Sequence, residues 1–264
     1  MTPTLDLNPA EVHLWFAWPD RISDPALLAR YAAMMNADER ARHARYRFQK
    51  HRHTFLVTRA LVRTVLAGYM QKAPESIDFS KNSFGRPEIF GQDNPGRLRF
   101  NISHTDGMIA CAVTRIADIG VDVESIHRTR VDLAIAKRFF AAREAQTLFS
   151  LAESQRPERF ITYWTLKEAF IKACGKGLSI SLSSFSFQLS GSGFVTVSFD
   201  ETHSENPLDW DFMLLDPGGE FRVALARKKT AQERTDRSPL YLRAHTLIPL
   251  AAQSPHPYRT IFES

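Results

Sequence analysis

Cysteine is nearly missing from this chain: Cys111 and Cys174 are the two thiols in 264 residues. Each sits in an apolar context, so both are expected as small buried hydrophobes in a reducing compartment, with no disulfide framework. The nine histidines have no metal-ligand spacing, which argues against a zinc site; His43, His51 and His53 lie in a basic helical stretch and read as surface or phosphate-facing groups. No apolar run approaches the ~20 residues that span a bilayer. The opening Met1-Thr2-Pro3-Thr4-Leu5-Asp6 lacks a basic region followed by an apolar stretch, unlike a secretory signal. These absences predict a cytoplasmic protein with no membrane partner.

What is present suits a globular chain with ample core. Apolar residues make up 44% and charged residues 24%, which bounds the chain to one large domain or two small ones. Net charge is +5 and the pI is near 9.3. The excess gathers between Arg40 and Arg63, in Arg40, Arg42, Arg45, Arg47, Lys50, Arg52, Arg59 and Arg63. Such a stripe can be a nucleic-acid footprint, a solvated helix face, or a cradle for the phosphates of a nucleotide cofactor that also steers an acidic partner. No nucleic-acid-binding motif accompanies it, so the cofactor reading is preferred and no nucleic-acid partner is expected.

Punctuation and periodicity predict a strand over 13–18, a helix over 25–35 capped by Asp24 with Pro25 at its first position, and a long basic helix from Asn36 or Asp38 to about Tyr69. Segments 88–90, 99–102, 108–114 and 119–123 have strand character. Helices over 132–151 and 157–174, the second closed by Gly175, then precede strands over 185–188, 194–199, 210–215 and 221–226. Helices followed by strands, twice over, predict an α+β protein.

The chemistry concentrates in two segments. Gly120-Val121-Asp122-Val123-Glu124 alternates with period two, so Asp122 and Glu124 share one strand face. In Trp164-Thr165-Leu166-Lys167-Glu168-Ala169-Phe170-Ile171-Lys172, the residues Trp164, Glu168 and Lys172 recur every four positions on one helix stripe. Three carboxylates and an ammonium suit Mg²⁺ beside a phosphate ester or anhydride; the plainer reading is a solvated strand face and an ordinary helix ion pair. Upstream, Phe84-Gly85-Arg86-Pro87 and Phe100-Asn101-Ile102-Ser103-His104-Thr105 add donors for phosphate oxygens.

These four motifs, in this order, resemble those of the 4′-phosphopantetheinyl transferases of the surfactin-synthetase-activating type. Ile135-Ala136-Lys137-Arg138-Phe139-Phe140 and Gly175-Lys176-Gly177-Leu178-Ser179 are similar to that family too, and the likeness covers roughly residues 10 to 230. It implies a monomer of two similar halves with pseudo-twofold symmetry and the active site in the cleft between them. Residues 1–120 would bind coenzyme A phosphates and 121–230 would carry the metal and catalytic groups. Residues 231–264 fall outside the likeness; Ser254-Pro255-His256-Pro257 and a charged opening stretch suggest a loosely packed extension docked by residues 247–250.

The implied reaction transfers the 4′-phosphopantetheine of coenzyme A to a serine of an apo acyl or peptidyl carrier protein and releases adenosine 3′,5′-bisphosphate. Asp122, Glu124 and Glu168 would bind Mg²⁺, with Mn²⁺ as the alternative. Glu168 would act as general base and Lys172 would neutralise the leaving oxygen. Arg42, Lys81, Arg86, Ser103 and His104 would hold coenzyme A phosphates. The family often has a lysine and a threonine for the 3′-phosphate where this chain has Glu39 and Phe55, which leaves Arg42 as the carry-over. Trp164 is expected to be core support, and Lys167 to face outward or pair across the cleft. Carrier docking is expected between Ile126 and Phe140, with Phe139 and Ile135 facing the core and His127, Arg128, Arg130, Lys137 and Arg138 outward. The competing readings are a non-catalytic module that binds coenzyme A or carriers, and a basic nucleic-acid-binding protein.

Overall fold

The computed structural model describes residues 5–91, 94, 96–127, 131–236 and 240–264; Arg128 and Arg130 lie outside the described residues. The chain opens with β1 (Glu11–Ala17), α1 (Pro25–Met34), α2 (Ala37–Arg45), α3 (Gln49–Met70), the hairpin β2 (Phe79–Lys81) and β3 (Pro87–Ile89), then β4 (Leu98–Thr105) and β5 (Met108–Arg115). The same order then repeats as β6 (Ile119–Ser125), α4 (Leu133–Phe139), α5 (Ala142–Ser150), α6 (Arg156–Cys174), the hairpin β7 (Phe185–Leu189) and β8 (Val195–Phe199), then β9 (Trp210–Asp216) and β10 (Phe221–Lys228).

The strand orders match as well. β1-β5-β4 and β6-β10-β9 are both antiparallel throughout. The α+β fold of two similar halves is thus written in the topology. β6 begins at Ile119, so a division at residue 120 would cut that strand; the halves meet at residues 116–118.

Side-chain alternation explains how the halves stack. On β1, Trp15 and Ala17 point into the core under α3, while Val12, Leu14 and Phe16 point into a second core. Ile119, Val121 and Val123 of β6 enter that same second core, which joins the two sheets face to face. A third core lies between the second sheet and α6, around Phe160, Leu166, Phe170 and Phe212. The order of layers is therefore helices, sheet, sheet, helices. Because the odd-numbered residues of β6 face the other sheet, Gly120, Asp122 and Glu124 face α6.

Several expectations need correction. The helix expected from about residue 37 to 69 is two helices: Tyr46 and Phe48 take extended backbone angles, and Arg52 donates to the freed Tyr46 carbonyl. The helix expected over 132–151 also breaks, at Phe140 and Ala141, where Phe140 turns inward to stack on Phe160 while Glu144 accepts from the Ala141 N–H. Phe139, expected in the core, is 45% exposed with the Arg138 guanidinium 5.1 Å from its ring centre; Ile135 does pack against the third core.

The last segment is not loosely packed. After α7 (Ala231–Asp236), β11 (Tyr241–Ile248) joins the first sheet parallel to β1 and carries β12 (Ala252–Pro255) on its outer side, and β13 (Arg259–Glu263) joins the second sheet beside β9. Between them His256 bonds Thr246 Oγ1 at 3.0 Å and the Pro217 carbonyl at 2.8 Å, with its ring against Phe16 and Trp18.

Candidate active site

The centre of the site is where β6 lies under α6. Gly120 permits this contact: a Cβ there would sit 2.0 Å from the Ala169 carbonyl oxygen and 2.4 Å from the Ala173 amide nitrogen. With the backbones this close, the helix runs antiparallel to the strand, and Trp164, Glu168 and Lys172 all lie half-buried on its facing stripe. Trp164 Nε1 donates to Glu124 Oε1 at 3.1 Å, and Lys172 Nζ donates to Asp122 Oδ1 at 2.6 Å.

Strand β4 closes the site from the first half. Asn101 Oδ1 accepts from the Val121 N–H at 3.0 Å, which ties β4 to the edge of β6 and brings Ser103 alongside Asp122. The Ser103 hydroxyl donates to Asp122 Oδ1 at 2.8 Å and accepts from Lys172 Nζ at 2.8 Å. Asp122 is 4% exposed, and its Oδ2 is buried without a hydrogen-bond partner. Burial, and next the Asp122 charge, raise the Glu168 pKa, while Lys172 opposes them.

The expected three-carboxylate ligand set is only partly assembled. Among the described residues, no group of three or more His, Cys, Asp or Glu side chains is gathered as a metal site. Like charges repel, and two of the three have local partners: Lys172 and Ser103 on Asp122, Trp164 on Glu124. The donor chemistry nonetheless fits a hard cation, since these are carboxylate oxygens and one of them, Asp122 Oδ2, is buried and unsatisfied.

The residues expected to face phosphate divide. Arg42 lines two adjoining cavities of about 650 and 620 Å³; Lys81 lines the first, and His104 the second. His104 is open to the cavity, yet partial loss of hydration, followed by the charges of Lys172, Arg59, Arg42 and His51, lowers its pKa. Neutral imidazole among so many cations marks a place prepared for negative charge.

Arg86 departs from its expected role. Its Nη1 donates to the Ala173 and Lys172 carbonyls at 2.9 and 3.4 Å, and its Nη2 reaches Glu88 at 2.9 Å and Asp118 at 3.5 Å. It caps the C-terminus of α6, where a cation is favoured by the exposed carbonyls. Asn82 assists by donating to the Gly175 carbonyl at 2.8 Å.

Two further expectations change. Trp164 stacks on Phe160 and also orients Glu124, a role that its i, i+4 spacing did not reveal. Lys167 is fully buried: it pairs with Glu144 at 2.7 Å, donates to the carbonyls of Leu182 and Phe185, and lies 4.2 Å from the Phe185 ring centre. Burial lowers the Lys167 pKa and raises that of Glu144, while their mutual attraction opposes both shifts.

Comparison with known proteins matches the chain to a described family. Residues 118–226 match the 4′-phosphopantetheinyl transferase superfamily, and residues 23–115 match the family described as 4′-phosphopantetheinyl transferase, N-terminal. The chain is 37% identical over 177 residues to the 4′-phosphopantetheinyl transferase HetI of Nostoc sp. (strain PCC 7120), covering 67% of this chain and 74% of that one. It is 32% identical over 206 residues to the 4′-phosphopantetheinyl transferase Sfp of Bacillus subtilis (strain 168), covering 78% of this chain and 88% of its relative.

Proposed function

The chain belongs to the 4′-phosphopantetheinyl transferase superfamily, and we propose that the cleft between its halves moves the 4′-phosphopantetheine arm of coenzyme A onto a serine of an apo acyl or peptidyl carrier protein. The observation that carries this site assignment is Asp122: a buried carboxylate with one unsatisfied oxygen, beside a carboxyl of raised pKa and a lysine. In the reaction the serine Oγ bonds to the phosphorus bearing the pantetheine arm. The phosphorus–oxygen bond to adenosine 3′,5′-bisphosphate breaks, and the serine proton leaves.

Glu168 takes that proton, because burial and Asp122 raise its proton affinity. Lys172, which reaches Asp122 and Ser103, neutralises the departing oxygen. Asp122, Glu124 and Glu168 would hold Mg²⁺, or Mn²⁺ in its place, which supplies positive charge to the pyrophosphate. His104 donates to a phosphate oxygen near the reacting bond, joined by Ser103 when its hydroxyl turns from Asp122 to the ligand, and Arg42 and Lys81 hold phosphate farther out. Arg86 is assigned to holding α6, and hence Glu168 and Lys172, in place.

In this reading residues 1–120 chiefly bind coenzyme A, 121–230 carry the catalytic groups, and the chain acts as a cytoplasmic monomer, both walls of the cleft coming from one polypeptide. The carrier docks between Ile126 and Phe140, where exposed Phe139 stands among Lys137 and Arg138.

Intact-mass analysis of purified apo carriers incubated with the chain, coenzyme A and Mg²⁺ tests the reading. One phosphopantetheine arm should be added per carrier, adenosine 3′,5′-bisphosphate should appear in equal amount, and Asp122→Ala should abolish both while melting near wild type. No mass gain on any acyl or peptidyl carrier would overturn it.

A further inference from the structure

The C-terminal hairpin closes a cavity that shares no lining residue with the two beside the reacting centre. It measures about 270 Å³ and lies where the turn between β11 and β12 meets α1, α3 and β1. Trp15, Thr64, Val65 and Leu247 are at most 6% exposed and form its floor, while Arg30, Ala252 and Gln253 are exposed and form its rim. The turn makes a fixed wall. Tyr31 Oη donates to the Pro249 carbonyl at 2.8 Å, and Leu250 takes a left-handed φ of 60°, rare for a leucine, with its side chain against the core under α3. These turn residues lie beyond 23–115 and 118–226, the spans that match the family, so the cavity belongs to the extension and not to the shared machinery.

Two polar groups stand out in this apolar setting. Arg30 is the one charged residue of the lining, and among the described residues it makes no ion pair. Thr64 is the other. Its Oγ1 is buried without a hydrogen-bond partner, whereas the helical threonines Thr58 and Thr165 donate to the carbonyls one turn back, of Thr54 and Ile161, at 2.7 and 2.6 Å. A helical threonine divides between two χ1 rotamers, so this hydroxyl can turn to an acceptor in the cavity. A buried hydroxyl left unpaired is costly until it finds one.

We propose that this cavity binds a medium-chain monocarboxylate that carries a hydroxyl or keto oxygen along its chain. The carboxylate pairs with Arg30 at the rim, the chain oxygen accepts from Thr64, and the remaining methylenes lie against Trp15, Val65, Leu247 and Leu250. The head group follows from charge: one guanidinium fork matches the two oxygens of a carboxylate, and it would leave a phosphate dianion half neutralised. The chain length follows from size. An apolar cavity of ~150 Å³ holds benzene, so this one takes about ten non-hydrogen atoms and excludes a two-chain lipid. An apolar floor with a few placed polar groups is the usual make-up of a small-molecule site.

Titration calorimetry of the full chain with octanoate, 3-hydroxyoctanoate, 5-hydroxyoctanoate and octan-1-ol, for wild type, Arg30→Gln and Thr64→Val, tests this. Wild type should bind octanoate about tenfold more tightly than octan-1-ol, and one of the hydroxy acids about fivefold more tightly again. Arg30→Gln should erase the first preference and Thr64→Val the second, each leaving the other in place. Thr64→Val gives up no hydrogen bond, so it should melt no lower than wild type. If either variant fails to fold, the wild-type Trp15 indole N–H resonance decides the matter: it should shift on adding the hydroxy acid. No binding of any acid at millimolar concentration, an unmoved Trp15 resonance, or wild-type preferences kept in both variants overturns the proposal. Coenzyme A affinity should be unchanged in both variants, so the outcome does not depend on the transferase reading.

Discussion

Trp164 and Glu124, forty positions apart in sequence, are joined by a 3.1 Å hydrogen bond from the indole N–H to Oε1. The bond links the helix motif to the strand motif, and it holds Glu124 in a fixed direction. Such partners of ligating carboxylates tune metal sites, and their loss typically costs about 10–100-fold in affinity or activity. Trp164→Phe keeps a ring to stack on Phe160 but deletes the donor. It should raise the Mg²⁺ concentration needed for half-maximal rate by about tenfold without lowering the melting temperature by more than a few degrees. A wild-type Mg²⁺ titration in that variant would reduce Trp164 to a packing residue.

The contact at Gly120 sets a stricter demand. Its absent Cβ is what lets α6 rest on β6, and the atoms in the way are backbone, not a flexible side-chain tip. Overpacking usually costs about 1–3 kcal/mol and can cost more where nothing can yield. Gly120→Ala should therefore destabilise by at least ~2 kcal/mol in urea unfolding, and it should lower kcat further than the residual folded fraction explains, because Glu168 and Lys172 move with the helix. A folded, fully active Gly120→Ala protein would refute the close-contact account.

Carrier docking gives a test by charge. Reversing Arg128 and Arg130 to Glu should raise the carrier KM at low salt and flatten its salt dependence, since rim charges act mainly on encounter. Coenzyme A affinity should not change. Unaltered carrier kinetics at low salt would move the docking site elsewhere.

Acid sensitivity should trace in part to His13. This residue is 6% exposed; burial first, then the neighbouring His245, push its pKa from 6.5 down to about 4, with Glu11 opposing and Arg243 assisting. Its Nδ1 lies 2.6 Å from Tyr69 Oη. Above pH 6.5 the imidazole is neutral in both folded and unfolded chains and carries no cost. As pH falls from 6.5 towards 4 the unfolded chain takes a proton that the folded chain refuses, so stability declines, by about 3 kcal/mol at the lower limit. His245, also lowered by burial, acts with the same sign. Urea unfolding at pH 7 and pH 4.5 should show a smaller loss for His13→Gln than for wild type. Equal losses would exclude His13 as a source.

Much of this was legible in the sequence because the motifs are local. Period-two alternation put Asp122 and Glu124 on one face, and spacing by four put Trp164, Glu168 and Lys172 on one stripe; in the fold, Trp164 bonds Glu124 and Lys172 bonds Asp122 across that interface. What stayed hidden depends on contacts distant in the chain. Lys167 looks like any helix lysine until Glu144 and two carbonyls surround it. Arg86 reads as a phosphate ligand until the C-terminus of α6 arrives 86 and 87 residues later. The helix breaks near Tyr46 and Phe140 fall at residues without Gly or Pro, so no local signal marks them; inward-turned Phe140 shows tertiary packing overriding helical continuity.

The pairing of β11 with β1 has a consequence for how this protein is made. β1 is buried along its whole length, yet one of its edges is completed by residues such as Arg243, which reaches back 232 positions to Glu11. A ribosome working at about 5–20 residues per second leaves that edge without its partner for ten seconds or more after β1 emerges. During translation the first half must therefore wait as a sheet with an open hydrophobic margin, which makes the nascent chain a natural client for chaperones and explains why truncation before β11 should harm solubility more than loss of surface residues would suggest.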